Sequence, residues 1–396
     1  LKETTIEKMY IFIIIFFITL MMRIQVPIFT PYASILGASS VIIGIILSAT
    51  SFTNLIGNLF AGPLVDRIGK KVFITVPVFI SGGLFIAHGF ASNSGQLLLL
   101  HALNGFALAF MIPAGFALLA GYAKNSHQQG KNIAINGILT TTSSVIGPII
   151  GGILVENFGY ETTYFLIGSG MMLTGLYATH FLKERAEIVR VSKGNQRVQS
   201  VSLLSVVTAP NQFIIYLAGF AVMYIHGVLI YEIPYLTVEQ GYSTVTTGQL
   251  FGVMGIGTFF TLSLLFINRF NPLNRLMVGL FGMSLGLFVL LTSSLPLAVP
   301  IFIIGLFFGL IMPAMATAIT DNVSKDVYGK AFAVMSAVYS LGIIASSFIT
   351  GVVRHIISPY FIAFLVGMMI LTIMGLGRRE KVNAPIHKEK ETRLIS

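Results

Sequence analysis

An all-α membrane protein, with twelve transmembrane helices in two six-helix pseudo-symmetric halves, is the fold class this sequence predicts. Three observations predict it: a charge-poor apolar composition, twelve apolar runs of membrane-crossing length, and landmarks that recur about 200 residues apart. Of 396 residues, 55% are hydrophobic and 10% charged, whereas soluble domains carry about 25% charged residues. The mean hydropathy is +0.88.

Apolar runs bounded by polar, Gly, Pro or charged residues fall at 9–31, 40–62, 72–91, 97–122, 133–155 and 162–182, then at 210–233, 248–267, 276–292, 299–320, 331–352 and 359–377. About 20 apolar residues cross a bilayer core as a helix, and lipid leaves no other way to satisfy an isolated span's backbone. The first run is too long for a signal-peptide core and has no convincing cleavage site, so it reads as the first span. A chain opening on Leu1 fits an alternative bacterial start codon read literally, and equally a trimmed end.

Charge sets the orientation. Of the 24 Lys and Arg residues, 22 fall on one side: in the N-terminal tail, in alternate loops and in the C-terminal tail. Arg354 is the single one opposite, and Arg23 lies within the first span. Basic loops stay cytoplasmic, so both termini are expected there, in the cell membrane. The net charge of +10 is then topological. It fits a bilayer with anionic lipid as partner, and no nucleic acid. There is no cysteine, which excludes disulfides and thiolate metal sites.

The polar stretch Lys183–Ser200 splits the chain, giving 1–182 as an N-terminal six-helix half, 183–208 as a cytoplasmic central loop and 209–396 as a C-terminal half with a basic tail. Gly37-Ala-Ser-Ser-Val-Ile-Ile-Gly44 is echoed by Gly241-Tyr-Ser-Thr-Val-Thr-Thr-Gly248, Gly105 and Pro113 by Gly305 and Pro313, and Gly130-Lys131 by Gly329-Lys330. Such repetition points to internal duplication and to a transporter whose halves rock about a central site.

After the second run the chain reads Gly62-Pro-Leu-Val-Asp66-Arg67-Ile-Gly69-Lys70-Lys71. This resembles the signature loop of the major facilitator superfamily. Gly147-Pro148-Ile-Ile-Gly151-Gly152 resembles the antiporter motif of its drug:proton exporters, with Ser143 and Ala134 where that pattern has further glycines. His101-Ala-Leu-Asn104-Gly105 is similar to a family motif that begins with Arg. The resemblance implies the major facilitator fold, a small-molecule substrate, a drug or an endogenous metabolite such as a siderophore, and protons as the coupling ion. It also implies that Asp66 meets the start of the eleventh helix and locks the outward-open state. Physically, an anion is favoured at a helix N-terminus, Gly69 with the basic pair suits a tight inner turn, and Gly147-Pro148 can bend the fifth span.

Ionisable groups within spans mark functional candidates. Glu232, two residues before Pro234, is read either as the proton carrier or as an acid reaching outer water, with His101 and His226 as further proton candidates. Arg23 is read as a cavity cation for an anionic substrate or as half of an ion pair, and the expected cation beside Glu232 is Arg23 or His226. Asn54, Asn136, Tyr224 and Tyr231 are candidate cavity residues. No phosphate-binding Gly-x-x-x-x-Gly-Lys loop, His-Glu-x-x-His or metal spacing occurs, so no catalytic residue, metal or cofactor is expected. The leading reading is a monomeric, proton-coupled exporter of a small organic molecule by alternating access. Proton symport of a sugar or nutrient, and a receptor or flippase-like protein without ion coupling, stand beside it.

The cysteine-free background makes the topology testable. A Ser92→Cys or Leu297→Cys variant should label from outside intact cells, and Lys193→Cys or Lys390→Cys only after permeabilisation. Labelling of Ser92→Cys from the cytoplasmic side alone would reverse the orientation.

Overall fold

In the computed structural model, residues 2–122, 126–183, 210–323 and 328–383 are described. They form helices and no strand. The first are α1 (Lys2–Ile24), α2 (Phe29–Ile35), α3 (Ser40–Ile68), α4 (Val72–Gly89), α5 (Ser94–Gly121) and α6 (Ser126–Phe181). After the central segment come α7 (Pro210–Gln240), α8 (Thr244–Ser263), a 3-10 turn Leu265–Arg269, α9 (Pro272–Thr292), α10 (Ala298–Thr320), α11 (Tyr328–Val353) and α12 (Pro359–Asn383).

Ten of these helices are long and apolar enough to cross a membrane, and the bent pair α1/α2 adds another crossing. The 56 residues of α6 would span roughly 84 Å if straight, so α6 holds two spans. They meet at Gly159, whose φ of 79° breaks the helical backbone, a conformation glycine adopts without penalty. The twelve crossings expected from the sequence follow.

Two boundaries differ from expectation. The first run is not continuous over 9–31. It divides at a turn, residues 25–28, with a bend of 43° between its helical parts. Pro27 lacks an N–H and its ring opposes the carbonyl of Arg23, which instead accepts from Val26 N–H at 3.2 Å. The segment Gly62–Ile68, read as a loop, is the end of α3. The turn itself falls at Gly69, with φ 123°.

Two hydrophobic cores organise the bundle. One gathers side chains from α1 to α6 together with Tyr231 and Tyr235 of α7, and the other side chains from α7 to α12. The repeated sequence landmarks explain themselves here. Gly37 and Gly241 both take positive φ, and two residues later Ser39 and Ser243 cap α3 and α8 by accepting from Ile42 N–H and Thr246 N–H. Side-chain oxygens of this kind satisfy otherwise orphaned first-turn donors. Gly105 and Gly305 repeat one another in packing too. A Cβ on Gly105 would lie 2.3 Å from the Thr50 carbonyl oxygen, and one on Gly305 2.1 Å from that of Met254.

Among the described residues, glycines also join the two bundles, toward one end. On one side, a Cβ on Gly44 of α3 would lie 2.5 Å from the Ser347 carbonyl of α11, and Ser48 Oγ donates to the Ile344 carbonyl at 3.0 Å. On the other, a Cβ on Gly248 of α8 would lie 2.3 Å from the Pro148 carbonyl of α6, and one on Gly152 2.5 Å from that of Thr244. These contacts sit at the ends of the helices joined by residues 36–39, 241–243 and 354–358. Farther along the same helices, Gly137 and Leu262 line a central cavity instead.

Gly305→Ala puts a methyl group against a backbone oxygen that cannot rotate away, so it should destabilise the protein by about 1–3 kcal/mol and lower its melting temperature in detergent. Gly83→Ala is the control, since its Cβ would meet only Met172 Cε at 3.6 Å and should leave the melting temperature unchanged.

Candidate functional site: the central cavity and the closed end

Between the two bundles lies a cavity of about 580 Å³, the size of a site for a drug-sized molecule. Its walls are mainly apolar, with Met223, Phe251, Met254, Phe308 and Met312 from the second bundle. Two basic side chains enter it, Arg23 and His226. Arg23 stands in the last turn of α1, where the carbonyl end of the helix dipole favours a cation. Gly147 lets it sit there, because a Cβ on Gly147 would lie 2.5 Å from Arg23 Cβ. The His226 ring stacks on Phe308 with centroids 4.9 Å apart. Thr140, Thr141, Ser144 and Thr258 also line the cavity, yet each hydroxyl donates to a carbonyl of its own helix at 2.8–3.0 Å. They therefore offer acceptor lone pairs, not donors.

Glu232 lies elsewhere, at the closed end, and its cation is neither Arg23 nor His226. Arg354, just beyond α11, donates from Nε to Glu232 Oε1 at 3.1 Å and from Nη2 to Oε2 at 3.2 Å. The same guanidinium donates from Nη1 and Nη2 to Glu239 and lies 3.6 Å over the Tyr235 ring. Glu232, Tyr235 and Glu239 are spaced i, i+3 and i+7, one face of a helix, which is why one arginine reaches all three. The Arg354 and Glu232 side chains are 5% and 8% exposed and Glu239 43%. A bidentate pair so placed is strongly directional. Tyr235 stacks on Tyr231, at 5.6 Å and 9°, and Tyr231 Oη donates to the Ser40 carbonyl of the opposite bundle at 2.6 Å. Two carboxylates on one guanidinium are thus wired by two rings to the contact between bundles.

The remaining candidates are scattered. His101 is buried away from the cavity, stacked on Phe29 at 3.9 Å and joined to His88 at 2.9 Å. Since His88 Nδ1 faces the Leu84 carbonyl at 2.7 Å, neutral His88 donates there and accepts the His101 Nδ1 proton through Nε2. Asn54 Nδ2 donates to the Gly105 carbonyl at 3.1 Å and so ties α3 to α5. Asn136 is buried with Oδ1 unpartnered, Tyr224 is buried in the second core and Tyr231 in the first, and none of these four lines the cavity. Gly147 and Gly151 pack on Arg23 and Ile24 of α1, while Gly152 and the Pro148 carbonyl meet α8. Arg67 is exposed, Lys71 Nζ donates to the Thr179 carbonyl at 2.9 Å, and Lys70 beside it precedes α4. The surroundings of Gly62, the Asp66 side chain and the side chains at the start of α11 lie outside the described residues, as do the central loop beyond Lys183, with Lys193, and the tail beyond Asn383, with Lys390. Arg354 and Glu239 were legible but unread: one is the lone cation of its side, the other stands two turns from Glu232.

Comparison with known proteins places this geometry. The Major Facilitator Superfamily profile matches residues 11–347. Multidrug resistance protein MdtG of a Rahnella species is 24% identical over 347 residues, covering 84% of this chain and 82% of that protein. Quinolone resistance protein NorA of Staphylococcus aureus is 24% identical, covering 91% and 94%. Among solved structures, an inward-facing, occupied bacterial homologue of the human lysosomal transporter Spinster aligns with a TM-score of 0.75 at 15% identity, over 94% of this chain and 96% of that one.

Arg354→Gln should destabilise the protein by about 2 kcal/mol, the scale of a charged hydrogen-bonded contact. The Glu232→Gln, Arg354→Gln double variant should recover part of that loss. A double-mutant cycle on melting data measures it, and a coupling below about 0.5 kcal/mol would mean that the two side chains are neighbours without interacting.

Proposed function

Because this chain belongs to the Major Facilitator Superfamily, we propose that it is a proton-coupled secondary transporter that exports a small organic molecule by alternating access. The multi-pass helical architecture and a central cavity shut at one end support transport rather than chemical conversion of the substrate. The names of two relatives, concerned with multidrug and quinolone resistance, support export. So does the Gly147–Gly152 segment, which resembles the antiporter motif. The basic residues put the termini in the cytoplasm, so the closed end faces outward and the cavity is an inward-facing one. In this reading the chain acts as a monomer in the bacterial cell membrane, its six-helix halves 1–182 and 209–396 rock about the cavity, and the Asp66 segment acts as the gate at the inner face.

The observation that carries proton coupling is the group Glu232, Glu239 and Arg354. Two carboxylates and one guanidinium leave one negative charge over, so the group can take a proton and still keep an ion pair. Proton arrival from outside would loosen one arm of that pair. The Tyr235–Tyr231–Ser40 chain of contacts would pass the change to the seal between bundles, biasing a two-state equilibrium. Glu232 is therefore the coupling residue, acting at the seal and not in the cavity. His101 and His226 remain secondary candidates.

Proteoliposomes with an imposed pH gradient test this, using a compound selected because it stabilises the purified protein thermally. Antiport concentrates that compound in the acidic compartment, symport in the alkaline one, and a receptor moves it in neither direction. Glu232→Gln should abolish gradient-driven accumulation and retain exchange of labelled for unlabelled compound. Accumulation by Glu232→Gln at the wild-type level would remove Glu232 from the mechanism.

A further inference from the structure

The cavity holds two basic groups and, among the described residues, no Asp or Glu in its lining. The Arg23 guanidinium has no hydrogen bond or salt bridge to any described residue, and His226 is near enough to feel its charge. An arginine enclosed by protein is expensive without a partner. Here the carbonyl end of α1 makes it tolerable, and α1 breaks four residues later at Pro27. Interrupted membrane helices of this kind line the substrate sites of transporters. The hydroxyls around the cavity have given their protons to helix carbonyls, so the donors available to a ligand are the guanidinium and the imidazole. Everything else on the wall is apolar or an acceptor.

We propose that the transported molecule is an amphipathic organic monoanion, with a carboxylate, sulfonate or phosphate diester held by Arg23 and an apolar body lying along Phe308, Phe251 and Met254. The inference rests on the transporter reading and adds the substrate class to it. A cationic ligand would meet the uncompensated charge of Arg23 and no acid to receive it. A neutral ligand would fill the walls and leave the guanidinium unpaired. An anion alone supplies the missing partner, and planar guanidinium geometry matches two oxygens at once. The single charged point at one place on an apolar wall selects a molecule with its charge at one end.

Equilibrium binding to the purified full-length protein in nanodiscs of zwitterionic lipid tests the proposal without a gradient. The probes share one body and differ in charge: 1-pyrenebutanoate, its primary amide and 1-pyrenebutylamine, with empty nanodiscs as the blank. Wild type should bind the acid about tenfold or more tighter than the amide, a difference of about 1.4 kcal/mol, and the amine more weakly than either. Arg23→Gln should bind acid and amide alike, and Arg23→Lys should keep the acid preference in reduced form. If Arg23→Gln does not fold, Arg23→Lys decides alone, by a weakened preference against an unchanged one. Equal binding of acid and amide by wild type, tighter binding of the amine, or an acid preference that survives loss of Arg23 overturns the proposal. Because no pH gradient is applied, these results stand apart from whether transport is proton-coupled or outward.

Discussion

Helices surrounded by lipid gain little by burying apolar side chains against each other, since the tails outside are equally apolar. What distinguishes one arrangement from another is how closely backbones can approach, and in this chain glycines decide it. Gly44 against Ser347 and Gly248 against Pro148 bring main chain from the two bundles into direct contact at one end. At these points no side chain lies between the backbones, and the side chains that do cross are few, Ser48 toward α11 and Ile149 and Val145 against Gly252 and Gly255 of α8. The cores themselves are nearly separate, with Tyr231 and Tyr235 as the main side chains that cross from one to the other. A molecule built in this way has two internally packed bodies and a thin junction.

Charge is distributed around that junction with economy. The acids Glu232 and Glu239 are held at the closed end by Arg354, while the cavity contains basic groups and no acid among its described lining. The two acids and their arginine are therefore kept at the closed end, apart from the basic groups of the cavity. In the proposed coupling, a proton would act on the seal without competing directly with a ligand for the same side chain.

Much of the architecture was legible in the sequence because lipid imposes it. Apolar length gives the crossings, and the repeated Gly-x-Ser pattern at Gly37 and Gly241 gives two helix starts with the same cap. The departures came from single residues. Pro27 divides the first run, a break that hydropathy does not register because Val26 and Ile28 beside it keep the run apolar. Between the fifth and sixth spans the polar segment 156–161 stays helical, and Gly159 alone makes the break. Arg23 and His226 were found as intramembrane ionisable groups, and the structure puts both in the cavity. Glu232 was found in the same way, but its partner lay 122 residues away in sequence. Asn54, Asn136, Tyr224 and Tyr231 could not be placed, because a polar residue on a buried helix serves a neighbouring backbone as readily as a cavity, and the hydrophobic pattern is too uniform to tell the two faces apart.

The two sides of the junction are unlike in what they respond to. Where α3 meets α11, the contact is flanked by Tyr231 and the arginine with its two acids. Where α6 meets α8, it is flanked by Glu156, whose carboxylate faces the Val245 N–H at 3.5 Å in the first turn of α8, and by the Tyr160–Thr244 hydroxyl pair at 3.4 Å. One flank is an ionic latch and the other closer to a plain hinge. If the halves rock as proposed, a body fastened by a latch on one side and a hinge on the other would not open evenly: α11 would leave α3 first, while α8 still turned on α6.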